Sequence, residues 1–410
     1  MLIEEQNKQF SEILDELGIS LDITETEYNN AVTSYQAVAK QLTKEGSELI
    51  PFEPEILPQG SFMLGTMVRP IDEEDDLDID LVCQLKAKKE SWTQFSIKKK
   101  VGDQLKENEL YKNLLDEEGR RCWTLKYRDD AENPKEKYHL DILPSVVDKG
   151  YRVILEKAFS ATTLDGVQEL GIRITDKESD NYYTETNHKE WMKSNPFGYA
   201  RWFFQQASLD ITKAYAMNES IKPVPTYTKD KLPLQRVVQI LKRHRDIMFA
   251  GDENKPISII ITTLASKAYK GETNILIALQ NVISKMAEYI EEKYSEEHDK
   301  FIKWVANPVN NEENFADKWV DTPQKESNFY DWLKQVGEDI IGTTSLNGIH
   351  NIQESLEKAF GKREVVKTFS SYGNKQRLLR ENGNMKMATG TGILGTVGKT
   401  VKNHNFHGKN

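Results

Sequence analysis

Apolar residues recur at helical spacing from Glu4 to Leu17 and again from Thr24 to Leu42, where Tyr28, Val32, Tyr35, Ala39 and Leu42 share one stripe. Thr24, followed three residues later by Glu27, predicts a capping box at the start of the second helix. Pro51, Pro54 and Pro58 then exclude helix and force extended backbone up to Gly60, where Gly60-Ser61 turns the chain into a short apolar segment read as a helix start. Between Gly60 and Val147 the period changes to two. Leu77–Leu85, Trp123–Tyr127 and Tyr138–Leu143 each alternate and predict three strands. Beyond about residue 195 the period is helical again, and 232–249, 257–269 and 274–294 predict helices with charged outer faces. The pattern implies a mixed α/β first half and a helical second half.

Residues 361–410 depart from that pattern. They hold ten Lys or Arg against two Glu, a surplus of eight positive charges on a chain of net charge −10, so the rest of the chain carries the compensating acid. Gly383, Gly390, Gly392, Gly395, Gly398 and Gly408 predict a mobile basic tail in place of a packed helix. The 410 residues, 38% of them hydrophobic, suffice for two domains with a conventional core. An acidic body repels long nucleic acid, whose binding needs a basic groove, while small anions carried with a metal stay allowed. Cys83 and Cys122 are too few for a disulfide framework and lack zinc-ligand spacing, which fits a reducing cytoplasm. The first five residues show no secretory signal, and the apolar stretch at 256–265 falls short of the ~20 residues that cross a bilayer.

The candidate chemistry sits on the predicted strands. In Leu77-Asp78-Ile79-Asp80-Leu81, alternation puts Asp78 and Asp80 on one face and their apolar neighbours on the other. Like charges ~4 Å apart repel by roughly 4 kcal/mol at an effective dielectric near 20, so the pair demands a cation or a proton. Tyr138-His139-Leu140-Asp141-Ile142 places Asp141 opposite Leu140 and Ile142, ready to join the pair. Three carboxylates can hold two divalent ions, and an all-oxygen ligand set favours Mg2+ or Mn2+. Asp141 is the carboxylate expected nearest the nucleophile. Gln59-Gly60-Ser61 lies upstream at a helix start, where backbone N–H groups and the helix dipole attract phosphate. Lys242, in the cation-rich run 241–246, reads as a phosphate contact or a solvated face. Ser258 reads as a phosphate contact or a helix N-cap, and His139 and His244 read as structural.

Together these residues resemble a known family. Pro58-Gln59-Gly60-Ser61-Phe62-Met63-Leu64-Gly65-Thr66, then Leu77-Asp78-Ile79-Asp80, then His139-Leu140-Asp141-Ile142-Leu143-Pro144, and Asn195-Pro196-Phe197-Gly198-Tyr199-Ala200-Arg201-Trp202-Phe203 are similar to segments of the bacterial CD-NTases, relatives of cyclic GMP-AMP synthase and oligoadenylate synthase. The resemblance implies an α+β fold, a polymerase-beta-like nucleotidyltransferase core with a helical second lobe. It implies N-terminal helices packing across the lobes at 1–50, the core at 51–200, the helical lobe at 201–360 and the basic glycine-rich tail at 361–410. It also implies a cyclic di- or trinucleotide synthase of antiphage (CBASS) signalling that uses nucleoside triphosphates, ATP and/or GTP, with two Mg2+ ions. Asp78, Asp80 and Asp141 would hold the metals and carry catalysis; Gln59, Gly60, Ser61, Lys242 and Ser258 would bind nucleotide. Partners would be nucleoside triphosphates and an accessory protein acting on the tail, with no long nucleic acid and no membrane. The tail segments 391–398 and 404–408 resemble those that ubiquitin-like machinery joins to targets in some members, although Lys409 and Asn410 follow Gly408 here. An arm folding back on the acidic body is the other reading of the tail. Two other functions stay open: nucleotide transfer to RNA or protein, and nucleotide sensing without catalysis.

Overall fold

The structure, a computed structural model, describes residues 4–71, 77–127, 138–147, 151–160, 164, 166–208, 227–346, 348–390, 392–396 and 398–401. The terminal residues 402–410, which include the tail segment 404–408 read above, lie outside the described residues. The chain divides into two compact units, Ile23–Lys231 with Ala306–Asn314, and Met1–Asp22 with Leu232–Val305 and Phe315–Asn410. Two of the boundaries fall near residues 22 and 231, and those implied by the resemblance are 50 and 200.

Helix α1 (Glu4–Ser20) belongs to the second of these units and α2 (Glu25–Leu42) to the first. The capping box forms as expected: the Glu27 N–H donates to Thr24 Oγ1 at 3.1 Å while the Glu27 carboxylate accepts from the Thr24 N–H. Strand β1 (Glu55–Pro58) leads through Gln59 into the short helix α3 (Gly60–Leu64), and β2 (Leu77–Leu85) follows. Next come α4 (Gln94–Lys106), α5 (Glu109–Leu114), β3 (Trp123–Tyr127), β4 (Tyr138–Val146), α6 (Tyr151–Ser160), β5 (Ile172–Ile174), β6 (Lys193–Ser194) and α7 (Pro196–Ala207). The strands form one sheet in the order β1-β2-β4-β5-β6, with β3 paired to β4, and only β2 and β4 run parallel.

The two faces of that sheet differ. Ile79, Leu81, Cys83 and Leu85 of β2 join Tyr138, Leu140 and Ile142 of β4 in a core shared with α2 and α4. The opposite face is apolar only toward the strand ends, where Val82 and Leu143 pack with Leu57, Ile172, Ile174 and Phe197. Nearer the strand starts, Asp78, Asp80, His139 and Asp141 occupy it, none of them fully buried. A strand with one face in the core and the other turning from acid to apolar along its length fixes where water and ligands reach the sheet.

Asn195 explains the Asn-Pro-x-Gly run. Its Oδ1 accepts from the Gly198 N–H at 2.9 Å and its Nδ2 donates to the Val167 carbonyl at 2.8 Å, while Pro196 opens α7. A Cβ on Gly198 would fall within 2.8 Å of Asn195 Cγ, so the motif is a helix start with a neighbour packed too close for a side chain.

The other unit is built on α8 (Pro233–Phe249), which packs against α1, α9 (Ser258–Ala268), α10 (Ile275–Lys285), α11 (Pro323–Thr344) and α12 (Ile349–Phe360). Arg236 of α8 donates to the Gly18 carbonyl at 2.6 Å and to Asp22 Oδ2 at 2.8 Å, joining the N-terminal segment to this bundle by a buried ion pair. Two expectations are corrected here. The predicted helix at 274–294 ends at Lys285, and Glu291–Ser295 instead pairs with Lys300–Trp304 as a hairpin. Residues 362–381, assigned to a glycine-rich tail, form α13 (Lys362–Glu381), which packs along α1. Gly373 is the one glycine inside that helix, and averaging over fifty residues hid the glycine-poor start of the stretch.

Candidate active site

Parallel pairing of β2 with β4 sets Asp80 opposite Asp141 and Asp78 opposite His139. Because partners in register project from the same face, all four side chains stand on one surface of the sheet. Antiparallel β3 adds Thr124 opposite Asp141 and Lys126 opposite His139. Thr124 Oγ1 donates to Asp141 Oδ1 at 2.5 Å, and His139 Nδ1 lies 3.7 Å from Asp78 Oδ1. His139, read from sequence as structural, therefore faces the carboxylates. Sequence reasoning passed over Thr124, although a polar residue between the apolar Trp123 and Leu125 was the signal for it.

The turn before α3 is tied to the same place. The Gln59 N–H donates to the Asp80 carbonyl at 2.8 Å. Gly60 has φ +58, and a Cβ there would overlap Asp80 Oδ2 and lie 3.1 Å from its Cγ. Glycine is required twice over, for the left-handed backbone and for the approach of the carboxylate. Ser61 follows as the second residue of α3.

The local field is negative. Burial, opposed by the Thr124 hydrogen bond and reinforced by Asp78, raises the Asp141 carboxyl above its ordinary value. Burial, with Asp141 and Asp80 beside it, pushes the Cys122 thiol up to about 12. A divalent cation matches both the sign of this field and the all-oxygen donor set of Asp78, Asp80 and Asp141. The cage is not ready-made: the Asp78 side chain is 84% exposed, and among the described residues no three His, Cys, Asp or Glu are drawn together tightly enough to hold an ion as they stand. Asp80 and Asp141 are brought together directly, and Asp78 shares their face one step along the strand.

Lys242 and Ser258 stand in the helical unit. Lys242 is buried on α8, so the solvated-face reading is corrected. Ser258 is the first residue of α9 and not its N-cap, a position held by Ile257; its Oγ accepts from Arg245 Nη2 at 3.2 Å. His244, on the same helix as Lys242, is buried with Nε2 2.9 Å from Asp339.

Residues 54–144, which carry the turn and all three aspartates, match the nucleotidyltransferase domain of the cyclic GMP-AMP synthase DncV-like proteins. Over 406 residues, 97% of this chain and 94% of the relative, it is 30% identical to a c-di-GMP synthase of Roseivirga ehrenbergii. The chain belongs to the CD-NTase family. A second relative, the cyclic dinucleotide synthase CdnG of Bradyrhizobium diazoefficiens, is 22% identical over 90% of this chain and 84% of its own length. The structure of that CD-NTase CdnG in complex with GTP superposes with a TM-score of 0.62 at 18% identity, covering 88% of this chain and 99% of CdnG. The fold is thus the α+β fold of the CD-NTases, a polymerase-beta-like core with a helical second lobe, and the chain is a nucleotidyltransferase. Among the described residues of this CD-NTase no helix is long and apolar enough to cross a membrane.

Proposed function

We propose that this CD-NTase joins nucleoside triphosphates into a cyclic oligonucleotide that serves as a cytoplasmic signal in antiphage defence of the CBASS type. The observation that carries the reading is the register of Asp80 against Asp141, with Gly60 seated on the Asp80 carboxylate. The names of the two sequence relatives favour a ring of two nucleotides over three and, for the 30% identical one, GTP over ATP as substrate.

Asp78, Asp80 and Asp141 would hold two Mg2+ ions, or Mn2+ in their place. When bound, the ions lower the pKa of an attacking hydroxyl and neutralise the departing pyrophosphate. The rest falls to the chain. Gly60 and Ser61 would present backbone N–H groups and a hydroxyl to the triphosphate, and Gln59 would hold the turn to Asp80 while it does so. Asp141, opposite Asp80, would orient the acceptor side. Assignment of Lys242 and Ser258 as further phosphate contacts rests on the resemblance alone, as does an accessory protein acting on the C-terminal residues.

The test is mass spectrometry of phosphatase-treated product after incubation with all four triphosphates and Mg2+. A cyclic dinucleotide is expected. Labelled RNA or labelled protein in place of a small product, or nucleotide binding without pyrophosphate release, would overturn the reading.

A further inference from the structure

Asp141 has two flanks, and only one has been given a role. On the β2 side it faces Asp80; on the β3 side it faces Thr124, whose hydroxyl donates to Asp141 Oδ1 at 2.5 Å. That is the short O–H···O distance of a hydrogen bond to a charged carboxylate.

The position of Thr124 is held from both sides along its own strand. Trp123 is buried and its Nε1 donates to the Lys98 carbonyl at 2.8 Å, and Leu125 is fully buried in the core beneath the sheet. The Thr124 carbonyl also accepts from the Asp116 N–H at 3.0 Å. The hydroxyl is therefore delivered by rigid backbone, and a β-branched residue has few rotamers in which to lose it.

We propose that Thr124 is a positioning residue of the nucleotidyl-transfer site: by holding Asp141 Oδ1 it presents Oδ2 to a divalent cation. The inference rests on the reading of Asp78, Asp80 and Asp141 as a metal-binding set. A ligand that must hold its orientation among other carboxylates gains from a neutral donor that fixes one of its oxygens and leaves the other free. Loss of such a partner weakens metal binding by about 10- to 100-fold where it has been the orienting contact.

Thr124→Val keeps the branched shape and strand preference and removes the donor; Thr124→Ser keeps the donor. Mn2+ binding, followed by the electron paramagnetic resonance signal of free Mn2+ with and without GTP, should weaken about tenfold or more in T124V. T124S should bind within about threefold of the unsubstituted chain, and T124V should lose kcat with little change in KM for GTP. Mn2+ binding by T124V equal to the unsubstituted chain, where D141N binds weakly, would overturn the role of Thr124 alone. Equal binding by D141N and the unsubstituted chain would overturn the carboxylate reading itself and this inference with it.

Discussion

Gly60→Ala is the substitution whose effect the structure fixes most closely. Two penalties act at this position. The first is conformational: at φ +58 a Cβ approaches its own backbone, which costs about 1–2 kcal/mol for an L-residue. The second is steric, since the added carbon overlaps Asp80 Oδ2 and the turn cannot retreat while the Gln59 N–H is bonded to the Asp80 carbonyl. Forcing an extra carbon into a filled space costs about 1–3 kcal/mol. Gly46 provides the control, because it has φ +92 with nothing within 4 Å, so Gly46→Ala carries the first penalty without the second. Domains of ordinary stability, about 5–15 kcal/mol, survive both changes. The carboxylate must then swing away from its place opposite Asp141, and a displacement of ~1 Å at a reacting group costs about a hundredfold in rate. Urea denaturation and pyrophosphate release measured together should show G60A folded, less stable than G46A and at least a hundredfold slower, with G46A at full rate. A G60A protein that releases pyrophosphate as fast as the unsubstituted chain would refute the reasoning.

Two further outcomes follow from charges held in the same unit. Burial raises the Asp141 carboxyl above 3.8, so its charge opposes folding at neutral pH, and this penalty is relieved as pH falls through the raised value toward 3.8. D141N should therefore be inactive yet at least as stable as the unsubstituted chain at pH 7, with the difference closing in acid; a marked loss of stability at pH 7 in urea titrations would contradict it. Asp176 is the opposite case. Although burial alone would raise its carboxyl, hydrogen bonds from Arg120, the Glu178 N–H and Arg121 hold it at about 2. Its contribution is present above 3.8 and lost as pH falls toward 2, so D176N should cost about 1–2 kcal/mol at pH 7 and nothing near pH 2, with equal losses at both pH values counting against the clamp.

What could be read from sequence was whatever short-range pattern determines. The capping box at Thr24 and Glu27 and the strands at 77–85 and 123–127 depend on neighbours a few residues away, and they lie where the pattern puts them. Strands β5 and β6 are three and two residues long, too short to show a period, and exist because β4 offers an edge to β5 and β5 offers one to β6. The helix expected to run to Tyr294 ends early because a hairpin partner at 300–304 competes for its last turns, a long-range effect with no local signal. From its cationic neighbours Lys242 reads as a phosphate contact or a solvated face, whereas its burial depends on packing between distant segments that no window of sequence contains. Register is the same kind of fact. That Asp80 meets Asp141 and not His139 follows from pairing between segments sixty residues apart. Period two fixes only which face each aspartate takes.

Asp80 joins the two halves of the site, and this makes a separable prediction. Its carbonyl holds Gln59, its carboxylate fills the space over Gly60, and its backbone is in register with Asp141. If the cost of G60A comes from meeting that carboxylate, removing it must remove the cost. In a D80A background the alanine at position 60 should pay only for its left-handed backbone, about 1–2 kcal/mol as in G46A. The double-mutant cycle of G60A with D80A should then show a coupling of about 1–3 kcal/mol, the size of the overlap, whereas G46A with D80A should be additive. Additivity in the first cycle would mean that the turn yields elsewhere and that the phosphate-binding and acidic elements are neighbours without being coupled.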